Sequence, residues 1–315
     1  MNGEHANTNS DRACAAWATA YARRLHGERI GGLKAFGAAG RRATRPSIAG
    51  RSIGPVPSPG RLYVGTSGFS YPSWVGGFYP PGTRSGDLLR AYAARLGAVE
   101  LNNTFYQFPT EAKVAAWRAA TPHGFRFTAK AQQRVTHWAR LADPVQTRRL
   151  ADAMRLFGDR LGATLVRVPD TFARDDARLA RFLEAWPGDL PVAFDLRHPS
   201  WLDDEVLARV AEHGNAAWVA TDRDELPEPA RIFVTAPFLY VRLRRSAYGD
   251  GDLSAWAERV TPFLEDGRDA FVFFRHTDEP SAPLLALSFL ARASASGTPP
   301  AAGSAGRAEG AGRPQ

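Results

Sequence analysis

The strongest constraint on this chain is a repeated alternation, across residues 61–292, of short strand-like segments with amphipathic helical stretches, in which one strand after another ends on a polar or charged residue. LYVGTS ends at Ser67, AVELN carries Glu100 and Asn102, FRFTAK ends at Lys130 and ATLVRVP holds Arg167. VAFDLR carries Asp195 and Arg197, AAWVATD ends at Asp222, LYVRLR holds Tyr240, Arg242 and Arg244, and AFVFFRH places Phe274 and His276 on one face. Successive strand side chains point to opposite faces. Val64, Val99, Leu101, Phe127, Phe194 and Leu196 are therefore expected to meet helices, while the polar set points inward and gathers at one mouth.

SGDLLRAYAARLG, with Ser85 as its expected cap, TEAKVAAWRAA, DPVQTRRLADAMRLFGDRLG, DDARLARFLEAW, DDEVLARVAEHG, DLSAWAERVTPFLE and SAPLLALSFLAR read as seven helices. The connection from Asp222 to Pro237 shows none. Such a series predicts a parallel α/β architecture, and eight units of this length match a single-domain TIM (β/α)8 barrel. A doubly wound sheet makes the same local pattern. Its strands, however, are apolar on both faces, and GTSGFS after the first strand lacks the glycine spacing of a dinucleotide fingerprint.

The net charge of +8 invites a nucleic-acid reading until it is divided along the chain. Residues 1–60 hold nine Lys and Arg against three acids, and residues 293–315 two Arg against one Glu, which leaves 61–292 at +1. Three segments are expected: a poorly ordered basic extension and linker at 1–60, the barrel at 61–292, and a disordered tail rich in Ala, Gly and Ser at 293–315. The single cysteine, Cys14, cannot form an internal disulfide, which favours a cytoplasmic setting. No apolar run reaches the roughly 20 residues that span a membrane.

The segments GTSGFSYPSWVGGFYP, VELNNTFYQFP, WRAATPHGFRFTAKAQQRVTH, LVRVPDTF, FDLRHPSW, YVRLR and FRHTDEPSAPLLAL follow one another in this order from Leu62 to about Leu290. Together they resemble the YecE-like family, also called domain-of-unknown-function family 72. The resemblance implies a TIM barrel and no particular reaction. Arg167 departs from it, standing where many relatives are expected to carry glutamine, which points to a shifted ligand preference.

Near the expected mouth, Lys130, Arg167, Arg197, Arg242 and Arg244 face Glu100, Asp195 and Asp222, an excess of two positive charges with His276 neutral. Arginine forks match carboxylate or phosphate, so a small anionic or phosphorylated ligand is expected, bound by Ser67, Tyr71, Trp74, Asn102, Tyr106, Arg167, Arg197, His198, Trp201 and Arg242. His276, Lys130, Asp195 and Glu100 are the candidates for proton transfer in a hydrolase or lyase. The alternative is that these charges only close the barrel end, as Glu100 with Lys130 or Asp195 with Arg197, and that His198 and His276 only bond their loops. No cofactor is expected. A divalent ion across Glu100, Asp195 and Asp222 is a weaker alternative that the surrounding arginines oppose. A nucleic-acid-processing barrel is suggested by Tyr71, Trp74, Phe105, Tyr106 and Trp201 interleaved with basic residues, but the near-neutral barrel disfavours a phosphate track. A noncatalytic ligand sensor would use the same pocket.

Overall fold

The computed structural model describes residues 58–295. The expected extension and tail therefore lie outside the described residues, apart from 58–60 and 293–295. Eight parallel strands close into a barrel in chain order: β1 (Leu62–Ser67), β2 (Ala98–Leu101), β3 (Arg126–Lys130), β4 (Leu161–Arg167), β5 (Val192–Asp195), β6 (Ala216–Asp222), β7 (Phe238–Leu243) and β8 (Asp269–Phe274). Seven α-helices lie among the described residues: α1 (Leu88–Ala93), α2 (Glu111–Ala119), α3 (Pro144–Arg155), α4 (Asp176–Ala185), α5 (Asp204–Glu212), α6 (Asp250–Glu265) and α7 (Ser281–Ala295). The chain between β6 and β7 forms no helix, as its proline and acid content indicates. Among the described residues no helix is long and apolar enough to cross a membrane.

Local chemistry sets the helix starts. Thr110, Asp143, Asp175 and Asp203 cap α2 to α5 by accepting backbone N–H groups, with Pro144 opening α3. Ser85 is a correction: it begins a 3-10 turn, Ser85–Asp87, that leads into α1 without a side-chain cap.

The barrel is filled by side chains of alternating strand positions. Tyr63 stacks on Phe271 with ring centroids 4.9 Å apart, and Ala163, Leu165, Ala193, Val219, Tyr240 and Phe273 complete this interior cluster. On the outer surface Phe127 meets Trp117 of α2, and Phe194 meets Phe182 of α4. One residue is inserted where β3 pairs with β4: Phe127 lies opposite Leu161 but Thr128 opposite Ala163. The extra residue is Gly162, and a Cβ there would stand 2.6 Å from the Phe271 ring, so the bulge and the interior aromatic together require glycine.

Two expected inward positions are overturned. Ala217 and Val219 belong to the interior cluster, so the inward residue at the end of β6 is Thr221, and Asp222 faces the helices. There the Asp222 carboxylate accepts from Tyr248 Oη at 3.0 Å and from Trp256 Nε1 of α6 at 3.3 Å. In β8 it is Phe273 that faces inward, whereas Phe274 packs against Tyr248 and Phe289 of α7. The period of two holds only within a strand. Because β8 stops at Phe274, the phase counted back from His276 does not apply.

Asp222 thus ties β6 to α6 from outside the barrel. Asp222→Ala leaves the buried phenol and indole donors without an acceptor and should lower stability by about 2–4 kcal/mol in denaturant unfolding, with part of the loss restored in Asp222→Asn.

Candidate functional site

At the C-terminal end of the barrel, where βα loops of such folds carry their sites, the floor is an ion network centred on Arg242 of β7. Its Nε and Nη2 donate to Glu100 Oε2 and Oε1 at 3.0 and 2.8 Å, and its Nη1 donates to Asp195 Oδ2 at 2.8 Å. Glu100 also accepts from Ser67 Oγ at 2.7 Å and from Tyr240 Oη at 2.9 Å. Asp195 accepts a fork from Arg197, at 2.9 and 3.0 Å, and the hydroxyl of Thr221 at 3.1 Å. Each carboxylate therefore receives four hydrogen bonds while Glu100 is fully buried and Asp195 nearly so. Burial alone raises both pKa values. For Glu100 the Arg242 guanidinium outweighs burial, and for Asp195 Arg197 and then Arg242 do so, leaving both below the ordinary carboxylate value.

Above this floor lies a cavity of about 430 Å³ walled by Tyr71, Asn102, Phe105, Tyr106, Lys130, Arg167, Arg197, Arg242, Arg244 and His276. Lys130, the last residue of β3, holds its ammonium 3.9 Å from the centre of the Phe105 ring and makes no ion pair or hydrogen bond with its side chain among the described residues. Burial, then the charges of Arg167 and Arg242, push its pKa down to about 8. Among the described residues the Arg244 side chain makes one hydrogen bond, donating to Ser67 Oγ at 3.3 Å, and its pKa is lowered to about 10 by burial and by Arg242. In the same cavity His276 stacks on Tyr71 with centroids 5.2 Å apart. Its pKa is lowered by burial and by Arg244, and its buried Nδ1 has no hydrogen-bond partner among the described residues. Gly68, at φ +97°, turns the first loop back so that Tyr71 Oη reaches the Ser67 carbonyl at 3.2 Å.

The cavity brings together Tyr71, Asn102, Tyr106, Lys130, Arg167, Arg197, Arg242 and His276 among the residues expected from sequence. Ser67, Glu100 and Asp195 lie beneath it. Three others sit elsewhere. Trp74 is fully buried, with Nε1 donating to the Thr277 carbonyl at 3.1 Å. Trp201 is fully buried, with Nε1 donating to the Phe172 carbonyl at 2.7 Å. His198 turns Nδ1 onto Ser200, 2.8 Å from its hydroxyl, and caps the turn Pro199–Trp201. These three serve packing and loop closure. The ion pair expected between Asp195 and Arg197 forms, whereas Glu100 pairs with Arg242 in place of Lys130.

Thr221, Asp170 and Arg223 are additions. Asp170 lies on the rim, 2.9 Å from Arg167 Nη2, 3.8 Å from Arg197 and 3.9 Å from Arg223. The sequence signal for Thr221 is the tryptophan three positions earlier, whose bulk marks the outward phase of β6. Asp170 follows β4 in a loop and has no periodic signal. With Asp222 on the outside, the trio considered for a divalent ion does not assemble, and no group of three His, Cys, Asp or Glu suited to a metal occurs among the described residues.

Arg242 compensates two buried carboxylates, so Arg242→Met should cost about 3–5 kcal/mol at neutral pH. The carboxylates contribute stability above their unfolded pKa values, near 4, and lose it as pH falls through their depressed folded values. In the variant, protonation removes uncompensated charge instead. The gap between wild type and variant, measured by urea unfolding, should therefore narrow on acidification towards pH 3.

The family described as "Protein of unknown function DUF72" matches residues 63–307. The chain is 26% identical over 174 residues to the UPF0759 protein YunF of Bacillus subtilis (strain 168), a match spanning 52% of this chain and 61% of that protein. It thus covers less than two thirds of that relative. Among solved structures, a DUF72 family protein from Thermotoga maritima MSB8 aligns with a TM-score of 0.63 and 27% identity, over 73% of this chain and 98% of that one. A second, from Enterococcus faecalis V583, aligns with a TM-score of 0.61 and 21% identity, over 74% and 95%. The motifs, the closed barrel and the match across most of the chain agree: this protein belongs to the DUF72 family.

Proposed function

We propose that the mouth of the barrel binds a small organic anion, carboxylate or phosphate, and that the protein is a hydrolase or lyase in which His276 and Lys130 move protons. One observation carries the reading. The buried carboxylates are consumed by Arg242, Arg197, Ser67, Tyr240 and Thr221, while Lys130 and Arg244 face the same cavity with no acid of their own. Cations withdrawn from water without a partner are costly, and an anion between them offsets that cost.

The proton-transfer candidates divide by the same logic. Glu100 and Asp195 accept four hydrogen bonds each and have depressed pKa values, so they are poor bases at neutral pH and act as counter-ions. His276 has a lowered pKa and an open ring nitrogen, and burial lowers the Lys130 amine to about 8. The cavity volume suits a small molecule. A nucleic-acid reading loses Trp74 and Trp201 as stacking surfaces, because both are fully buried.

Sulfate, whose charge is constant across neutral pH, is the cleanest probe. At a hundredfold excess over Kd it should raise Tm by about 5–10 °C. Arg244→Gln should remove that rise, whereas Arg149→Ala, outside the cavity, should keep it. Binding favours the charged amine, so the rise should shrink between pH 7 and pH 9 as Lys130 loses its proton. No response to sulfate, phosphate or small carboxylates by a protein with an empty cavity would leave structural ion pairing as the better account.

A further inference from the structure

Three of the 40 basic residues in the chain are lysines, Lys34, Lys113 and Lys130; the rest are arginines. Every other permanent cation lining the mouth is an arginine. The difference is chemical. A guanidinium keeps its proton at any physiological pH and can only bind, whereas an amine can bind as the ammonium and attack as the free base. Of the four arginines that line the mouth, Arg244 is the one with no acid partner among the described residues and is able to clamp an anion, and Lys130 offers the amine able to form a bond.

The surroundings of that nitrogen favour attack. Thr104 Oγ1 donates to the Lys130 carbonyl at 2.8 Å and fixes the end of β3. The side chain crosses the Phe105 ring and reaches a cavity in which no carboxylate holds it. Glu100, the acid that acts on it through space, is already occupied by Arg242, Tyr240 and Ser67. The ring of Phe105 favours the ammonium, while Arg167, Arg242 and Arg244 oppose it. His276, on the same cavity, has the open nitrogen needed to take a proton and return it.

We propose that Lys130 forms an imine with the carbonyl carbon of an anionic carbonyl compound whose carboxylate or phosphate is held by the surrounding arginines. The inference rests on the anion-binding reading and adds the substrate class. In the step, the Nζ lone pair forms a C–N bond as the C=O π bond opens to a carbinolamine. The carbinolamine oxygen then leaves as water and a C=N bond forms. Overall, one ammonium and one carbonyl give one protonated imine and one water, with the charge conserved and no oxidant or reductant consumed. The protonated imine draws electrons from the adjacent carbon, so a C–H or C–C bond there is weakened. That directs the choice between hydrolase and lyase towards a lyase.

The full-length protein is incubated with pyruvate in one arm and dihydroxyacetone phosphate in the other, reduced with sodium borohydride, and mapped by peptide mass spectrometry. The expected result is a single secondary-amine adduct on Lys130, with Lys113 and Lys34 unmodified, increasing as pH rises from 7 to 9. An adduct confined to pyruvate identifies a carboxylate as the held group, and one confined to the keto phosphate identifies a phosphate. Lys130→Arg should abolish the adduct while keeping at least half of the sulfate-induced rise in Tm, which separates attack from clamping. No adduct in either arm, or equal labelling of all three lysines, overturns the proposal. If the sulfate response persists in that case, the anion-binding reading stands without it; if the response is also missing, both fail.

Discussion

Arg242 is the side chain on which the mouth of the barrel depends. Its guanidinium spans β2 and β5 from β7, holding Glu100 with two nitrogens and Asp195 with the third. Two carboxylates at that depth are tolerated only with near-complete compensation, and the planar fork of arginine meets both at once. Lysine, a single point charge, cannot make the same pair of contacts. Ser67, Thr221, Tyr240 and Arg197 fill the remaining acceptor sites, so five of the eight strands or their ends contribute to one saturated floor.

Saturation below creates deficit above. Since the acids are spent on Arg242 and Arg197, Lys130 and Arg244 have no acid within ion-pair distance among the described residues, and burial with repulsion from neighbouring arginines lowers the pKa of both. The strained charge balance is therefore a consequence of how the floor is closed. The proposed anion site, the lowered amine pKa of Lys130 and the lowered pKa of His276 all trace to one arrangement of arginines. Asp170 on the rim tempers the excess by meeting Arg167, so that the deepest unpaired positive charge lies at Lys130 and Arg244.

The barrel was legible in the sequence because its strands alternate and α2 to α5 carry their own caps; the order and number of elements follow from period and punctuation, whereas ends such as those of β5 and β8 do not. The inward identity of Glu100, Lys130, Arg167, Asp195 and Arg242 was legible for the same reason. Position within the site was not. Period two assigns a face but not a depth, so Glu100 and Asp195 read both as proton-transfer groups and as partners of Lys130 and Arg197, while the reach of Arg242 to both had no periodic signal. Asp222 misled because a charged terminal residue was given the inward phase, although Ala217 and Val219 set the phase of β6 one residue earlier. Trp74, His198 and Trp201 lie in loops, where no periodicity decides between a ligand surface and a buried prop; their partners are backbone carbonyls and a serine that do not line the cavity.

The central claim is that the charge left over above the Arg242 network is taken up by an anion between Lys130 and Arg244. Its most direct measurement is an anomalous difference map from crystals of the protein grown with selenate. The account predicts a dominant selenium peak in the cavity, within hydrogen-bonding distance of Lys130 Nζ and the Arg244 guanidinium. Peaks confined to arginines on the outer surface, with water filling the cavity at full occupancy, would contradict it.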